Sequence, residues 1–177
     1  MKRTPFKPRK TPLRASQGLR RRVKPMGERD PNRRYTRSGT VKPLGHDDLW
    51  PLVREYIRKR DGYTCVTCGA HCEGSNRQTG HMYPSSLCGF ALRYHPHNLA
   101  IQCGEPCNGT GMGEQDRFIE AAYAKHGREV VDGVRNLYRE TRKVGGPQFK
   151  IDWRAAIEFY KNPPETFGLI LPFVRQL

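Results

Sequence analysis

The sequence predicts a small α+β domain that is held together at a cluster of cysteines, flanked by helices and preceded by a basic arm. All six cysteines lie between residues 65 and 107, helical hydrophobic patterns occur on both sides of that stretch, and positive charge is concentrated at the N-terminus. A chain of 177 residues with 36% hydrophobic residues is long enough for one domain with a modest core. Its 18 glycines and 14 prolines predict that much of it is irregular.

The N-terminal segment carries most of the excess charge. Residues 1–37 hold 14 Lys and Arg against Glu28 and Asp30, a net charge of +12, whereas residues 38–177 hold 18 against 15, a net charge of +3. Prolines alternate with cations in TPFKPRKTPLR and RRRVKP, so this segment should be disordered or extended. A solubilising tail is one interpretation, but so dense a block of one sign is more typical of polyanion binding. We therefore predict that DNA phosphates contact Arg20, Arg21, Arg22, Lys24, Arg33 and Arg34.

No apolar run reaches the length of a signal peptide or a membrane span. We expect a cytoplasmic protein that does not contact membranes. Because the cytoplasm is reducing, the cysteines are more typical of metal ligands than of disulfides or unconnected thiols.

The first helical pattern precedes the cysteines, in DDLWPLVREYIRKRDG. Asp47 or Asp48 can cap it, Pro51 would fall in the first turn and Gly62 would end it. We read Trp50 as a core residue. The apolar positions that recur at helical spacing are Leu49, Val53, Tyr56 and Ile57.

Two cysteine knuckles bracket a stretch in which neither a helical nor a strand period persists. Cys65-x-x-Cys68 opens it, and Cys103-Gly-Glu-Pro-Cys107 follows 35 residues after Cys68. Four thiolates that meet in space form a closed tetrahedral zinc site, and zinc binding supplies folding energy that a small core lacks. We predict that structural Zn²⁺ is bound by these four cysteines.

The assignment of the zinc ligands has one alternative. Cys72 and Cys88 are also available, and the second knuckle is one residue longer than the usual spacing. We interpret both as structural thiols.

Polar residues between and after the knuckles go beyond what a zinc ribbon requires. His81 follows Gly80, Arg93 precedes the run HNLAIQC that contains Asn98, and Asn108 directly follows the last knuckle cysteine. The combination of CxxCG, GHxxP/S, a basic-aromatic pair before HNLAIQC, and CN before a glycine-rich turn resembles an HNH (ββα-metal) nuclease core. Among such proteins it is most similar to the phage recombination endonuclease family called NinG or Rap. The resemblance covers roughly residues 48–160.

Phosphodiester hydrolysis needs a base for the attacking water, and an imidazole that titrates near neutrality suits His81 to that role. The resemblance implies that Asn98 orients the imidazole and that Asn108 helps to hold a catalytic Mg²⁺ or Mn²⁺ ion. Arg93 would contact DNA phosphate. His81 could instead be a zinc ligand or a buried structural histidine, Asn98 a cap, and Asn108 a turn residue.

The sequence departs from the family pattern after the second knuckle, because no histidine follows Asn108 before His126. The remaining ligands of a catalytic metal are therefore not identified. The acidic residues near the motif, and thus candidate ligands, are Glu73, Glu114 and Asp116. Either His95 or His97 could complete the metal shell. His71 is given no role.

Three helical patterns follow the core, and the chain divides into an arm and linker (1–45), an HNH-like zinc-bound core with its leading helix (46–116) and a helical extension (117–177). The resemblance implies a structure-selective DNA endonuclease that cuts branched DNA such as Holliday junctions or D-loops. It would work in the host cytoplasm, with a homodimer as one possible state. The alternatives are an HNH nicking or packaging endonuclease on ordinary duplex, and a non-catalytic zinc-ribbon adaptor that binds DNA.

Overall fold

The computed structural model describes residues 33–35, 41–109 and 114–177. The predicted DNA contacts at Arg20, Arg21, Arg22 and Lys24, and most of the predicted arm, lie outside the described residues. Arg33 and Arg34 belong to a short strand that pairs with residues 41–43.

The fold is α+β, as the sequence predicts. The helices in the described residues are α1 (His46–Asp61), α2 (Gly89–Arg93), α3 (Gln115–His126), α4 (Arg128–Thr141) and α5 (Trp153–Lys161). The strands form three antiparallel pairs: β1 (Arg33–Tyr35) with β2 (Val41–Pro43), β3 (Arg77–His81) with β4 (Leu99–Cys103), and β5 (Phe149–Ile151) with β6 (Val174–Gln176). Short 3₁₀ turns lie at Gly74–Asn76 and Pro96–Asn98, and a wide turn lies at Gly104–Asn108.

Helix α1 begins one residue before the predicted caps. Its N-cap is Gly45, whose backbone N–H donates to Asp48 Oδ2 at 3.2 Å. Because the helix starts at His46, Pro51 lies beyond the first turn, and the expectation that it falls within that turn was wrong. The helix ends at Gly62, where φ is +66°, a value that favours glycine. Its buried face consists of Leu49, Val53 and Ile57.

The central hairpin is formed by β3 and β4, which pair from Arg77 opposite Cys103 to His81 opposite Leu99. All five residues of β4 are buried, so the strand shows no alternation of polar and apolar residues. This is why no strand period is visible between the knuckles. Helix α2 and the 3₁₀ turn at Pro96–Asn98 occupy the connection between the two strands.

Two groups of buried side chains stabilise the fold. The first packs α1 and α5 around β4 and includes Tyr94, Ile101 and Phe173. The second packs α3 and α4 against the segment after β3, with Phe118 and Val134 as central members. Strand β4 contributes to both groups, since Ile101 belongs to the first and Ala100 to the second.

A buried carboxylate joins α1, β4 and α3. Asp61 accepts hydrogen bonds from the Arg60 guanidinium at 2.5 and 2.8 Å, from Lys125 Nζ at 2.5 Å and from the backbone N–H of Ile101 at 3.1 Å. Burial alone would raise the pKa of Asp61, but the two cations outweigh it and lower the pKa below its usual value.

Across residues 33–35, 41–109 and 114–177, every helix is too short or too polar to cross a lipid bilayer.

Candidate metal centre and histidine site

The two cysteine knuckles meet in space. The Sγ atoms of Cys65, Cys68, Cys103 and Cys107 all lie within 4.8 Å of one another, and Cys68 Sγ lies 3.9 Å from Cys103 Sγ. In a tetrahedral site with Zn–S bonds of about 2.3 Å, neighbouring sulfur atoms are about 3.8 Å apart. The four thiols could therefore bind a metal ion such as zinc.

Backbone hydrogen bonds build the first knuckle. The N–H of Cys65 donates to the Ala70 carbonyl and the N–H of Gly69 donates to the Cys65 carbonyl, both at 2.9 Å. Gly69 has a φ of +73°, so its glycine is required by the turn. Burial alone would raise the pKa of the Cys65 thiol, but backbone N–H donors, chiefly that of Cys103, hold it at about 7. The backbone thus favours a thiolate at Cys65. At Cys68 the hydrogen bond from the Ala70 backbone would lower the pKa, but burial and the neighbouring thiols outweigh it and raise the pKa.

A residue outside the motifs positions the second knuckle. Asn76 Oδ1 accepts from the backbone N–H of Gly104 at 2.8 Å, at the start of the wide turn that accommodates the extra residue between Cys103 and Cys107. The two knuckles are also joined directly, since Gln102 Nε2 donates to Thr67 Oγ1 at 2.7 Å. No local sequence pattern predicts these contacts, because each joins residues 28 or more positions apart.

The other two cysteines are outside the four-thiol group. Cys72 is buried beside it, where its Sγ donates to the Ala70 carbonyl at 3.6 Å, and burial raises its pKa to about 11. Cys88 is buried in the second hydrophobic group, and its Sγ accepts from Asn98 Nδ2 at 3.8 Å.

His81 lies at the end of β3, half-buried, with one ring nitrogen held by the backbone. Its Nε2 donates to the Arg93 carbonyl at 3.0 Å, and because a carbonyl only accepts, the ring proton is at Nε2. Nδ1 therefore carries the free lone pair of a neutral imidazole. Burial lowers the pKa of His81 to about 4, so the ring is neutral at pH 7, and the expectation that it titrates near neutrality was wrong.

Trp50 covers one face of that imidazole. The two rings are stacked, with centroids 5.7 Å apart and planes 11° from parallel. His46 stacks on Trp50 at 5.7 Å as well, and its Nδ1 is 2.9 Å from the Tyr94 hydroxyl. Trp50 packs against the core as the sequence predicts, but the sequence did not reveal its contact with His81.

Asn98 fixes the backbone around His81 and makes no hydrogen bond to the imidazole ring. Its buried amide accepts from the Tyr83 N–H at 2.8 Å and donates to the Tyr83 and Leu92 carbonyls at 3.2 and 3.1 Å. These bonds hold the segment after β3 against α2, next to the Arg93 carbonyl that accepts the hydrogen bond from His81 Nε2. Asn98 can thus orient the imidazole only through the backbone.

Asn108 lies against β3, where it approaches Gly80, the residue before His81. Its Nδ2 donates to Gln78 Oε1 at 2.7 Å, and its Oδ1 is 3.1 Å from the place where a Cβ on Gly80 would stand. The same Cβ would lie 1.8 Å from Gln102 Oε1. A side chain at position 80 would therefore collide with the residues that join β3 to the second knuckle, which explains the glycine before His81.

Within the described residues, no set of carboxylates or imidazoles completes a hard-metal site at Asn108. The four-thiol group is the only place in that part of the chain where three or more potential ligands converge. Glu73 pairs with His71 at 2.8 Å, Glu114 pairs with Arg117 at 3.1 Å, and Asp116 is exposed. These residues do not fit a preformed Mg²⁺ or Mn²⁺ site.

His95 and His97 belong to another cluster. His97 lies 5.3 Å from His95 and 4.7 Å from His126, measured between ring centroids, and it also contacts Phe167. Burial lowers the pKa of His95 to about 3 and that of His97 to about 4, so both are neutral packing residues at pH 7.

Arg93 lines a separate cleft of about 320 Å³, together with Ser85, Ser86, Thr141 and Gln148. The backbone carbonyl of Arg93 serves His81, whereas its half-buried side chain faces this cleft. The predicted phosphate contact is therefore sterically open.

No protein-family model, curated protein or solved structure matches this chain. The similarity to the NinG or Rap family depends on the motifs alone.

Proposed function

We propose that the chain is a DNA endonuclease of the HNH (ββα-metal) type, in which His81 is the general base. The observation that carries the proposal is the state of the His81 ring. Its Nε2–H donates a hydrogen bond to the Arg93 carbonyl, and its Nδ1 is an unprotonated acceptor at pH 7. An imidazole in this state can take a proton from a water molecule that attacks a phosphodiester.

The surrounding residues fit supporting roles in that reaction. The four-thiol group and Gln102 would fix β4, and thereby β3 and His81, because the two strands are paired over five positions. Asn98 would hold the Arg93 carbonyl in place. Arg93 and the basic N-terminal residues would bind phosphates of the DNA backbone.

We propose further that hydrolysis depends on Mg²⁺ or Mn²⁺, as the resemblance implies. Because the described residues do not form a site for this ion alone, it would have to bind together with DNA, where it would supply charge neutralisation at the phosphate. Asn108 Oδ1 is the one oxygen donor that we assign to it. Addition of a chelator that leaves the thiolate-bound zinc in place should abolish cleavage, and unchanged cleavage would remove the second metal from the proposal.

The proposed substrate is branched DNA, as the family resemblance implies. A four-way junction and a linear duplex of matched sequence should be cut at different rates under the same conditions, with the junction faster. Equal rates would assign the chain to nicking or packaging enzymes of ordinary duplex.

The catalytic role of His81 can be tested with His81→Gln. Glutamine can still donate to the Arg93 carbonyl, but it cannot accept a proton at neutral pH, so cleavage should fall by about 10² to 10⁴ fold. His71→Gln is the matched control, because His71 is exposed and its ring contacts Glu73 and Tyr63 rather than His81. Zinc content and melting temperature, measured on both variants, report whether the fold is intact.

One alternative function has an observation in its favour. A zinc-ribbon adaptor that binds DNA without cutting it would account for the burial of His81 and for the missing carboxylate ligands among the described residues. Retained zinc and DNA binding with no cleavage by the wild-type protein would favour this alternative.

A further inference from the structure

A groove with three arginines opens beside the His81 site. It has a volume of about 390 Å³ and runs along α1 and β3. We call it the arginine groove; its main lining residues are Trp50, Arg54, Arg58, Arg77, Gln78 and Asn108. None of the three arginines is among the DNA contacts that the sequence predicted.

The arginines of the groove have no acidic partner within the described residues. Glu55, the acidic neighbour on α1, pairs with Lys59 at 3.5 Å instead. Arg58 Nη2 donates to the Arg77 carbonyl at 3.4 Å, and Arg77 Nη2 donates to the Arg58 carbonyl at 2.6 Å. The fold thus holds each of these two guanidinium groups on the backbone of the other arginine, without a carboxylate partner.

The same two guanidinium groups keep unused donors. The Nε atoms of Arg58 and Arg77 are shielded from solvent and lack a hydrogen-bond partner. The Arg77 guanidinium is also held over the Tyr63 ring, 4.2 Å from its centroid. These shielded Nε atoms cannot reach an anion in solution themselves, but arginine side chains without a carboxylate partner favour anion binding, and arginine binds phosphate through its other N–H donors.

The groove adjoins the proposed catalytic base. Trp50 lines the groove and stacks on His81, with ring centroids 5.7 Å apart. Asn108 also lines the groove and approaches Gly80, the residue before His81. A DNA strand that followed the groove would therefore pass within one aromatic ring of His81.

We propose that the arginine groove binds the sugar–phosphate backbone of DNA next to the phosphate that is cut, an inference that rests on the proposed function for the identity of its ligand. Arg54 and Arg58 are one helical turn apart on α1 and Arg77 is on β3, and all three line the groove, so one DNA strand lying in it can contact more than one of them. The contacts involve the backbone and confer no sequence preference.

The test measures binding without cleavage, in a His81→Gln background. A fluorescently labelled linear duplex is titrated with protein at several NaCl concentrations. Arg54→Ala is the principal variant, because Arg54 makes no hydrogen bond or ion pair with the described residues and its removal should not disturb folding. Loss of one phosphate contact should lower the salt slope by about 0.9 and weaken binding about fivefold at 0.15 M salt.

A second variant and a control complete the experiment. Arg58→Gln removes the charge but keeps the backbone carbonyl that accepts from Arg77 Nη2, so it should have a similar effect. Arg154→Ala removes the same charge from an exposed position on α5 that makes no hydrogen bond or ion pair within the described chain, and it should leave both affinity and slope unchanged. Melting temperatures verify that each variant is folded.

The outcomes separate this inference from the proposed function. Folded Arg54→Ala and Arg58→Gln proteins that bind DNA with the wild-type slope would overturn the groove, even if the wild-type protein cuts DNA. An equal loss in Arg154→Ala would also overturn it, because the effect would then reflect net charge alone. A reduced slope in the groove variants, with no cleavage by the wild-type protein, would support the groove and refute the endonuclease.

Discussion

The four-thiol group and the His81 site lie on the same hairpin but differ in how complete they are. The first contains four ligands of one chemical type in two short turns, whose sulfur atoms already lie at distances close to those around a bound zinc ion. The second has one imidazole and one amide, with no carboxylate ligand among the described residues. The chain alone thus brings together four thiols that could bind a metal ion, whereas under the proposed function the His81 site would need DNA and an added ion to be complete.

The largest expected effect concerns the thiolate site. Cys103→Ser should abolish stoichiometric zinc binding and unfold the hairpin, because structural zinc in small domains contributes on the order of 10 kcal/mol to folding. Cys72→Ala is the control, since Cys72 is buried beside the site but lies outside the four-thiol group. Metal analysis and circular dichroism check both variants; stoichiometric zinc in a folded Cys103→Ser protein would show that this thiol is not a ligand.

The next effect distinguishes the His81 site by its pH dependence. A base acts only when it is unprotonated, and burial lowers the pKa of His81 to about 4. Lowering the pH from 8 to 6 should therefore not reduce kcat/KM through protonation of His81. The value of kcat/KM should fall only as the pH approaches 4. If kcat/KM instead falls on acidification with a pKa near 6.5, in the wild type and also in His71→Gln, then His81 is not desolvated as described.

A smaller effect is expected at Asp61, the buried carboxylate that joins α1 to β4 and α3. Asp61→Asn leaves Arg60 and Lys125 without their shared carboxylate and should lower the free energy of unfolding by about 3 kcal/mol. The pKa of Asp61 is lowered in the folded state, so its contribution is fully present above the unfolded pKa of about 3.9 and is lost as the pH falls through the folded value. Urea unfolding at pH 7 and at pH 3 should show the difference between variant and wild type shrinking at the lower pH. A constant difference would contradict the assignment.

The smallest effect tests the contact that joins the two regions. Gly80→Ala places a Cβ where Gln102 Oε1 lies 1.8 Å away and Asn108 Oδ1 lies 3.1 Å away. It should destabilise the protein by about 1 to 3 kcal/mol through overpacking. Gly168→Ala is the matched control, because its nearest neighbour would be 3.9 Å from the new Cβ. Equal melting temperatures for the two variants would show that the hairpin accommodates the added methyl group without loss of stability.

The two regions also differ in how far the sequence could predict them. The spacing of Cys65, Cys68, Cys103 and Cys107 was enough to group the four thiols, and helical periodicity predicted α1, α3, α4 and α5, because these signals are local. Strand β4 was hidden, since a strand that is buried on both faces has no alternating pattern. The stacking of Trp50 on His81 and the bond from Asn76 to Gly104 were also hidden, because both depend on how distant segments pack.

The departures follow the same principle. Pro51 falls beyond the first turn because a glycine ahead of the aspartates caps the helix, which shifts its start to His46. Asn98 has the polarity that a positioning residue needs, but only the packed loop determines that its amide bonds to the backbone of Tyr83 and Leu92.

The most direct test of the account is the single-turnover rate of DNA cleavage by wild-type protein and by His81→Gln, at equal zinc content and saturating protein. The account predicts measurable cleavage by the wild type and a loss of about 10² to 10⁴ fold in the variant, with DNA affinity unchanged. Equal rates in the two proteins, at equal zinc content, would contradict the assignment of His81 as the general base.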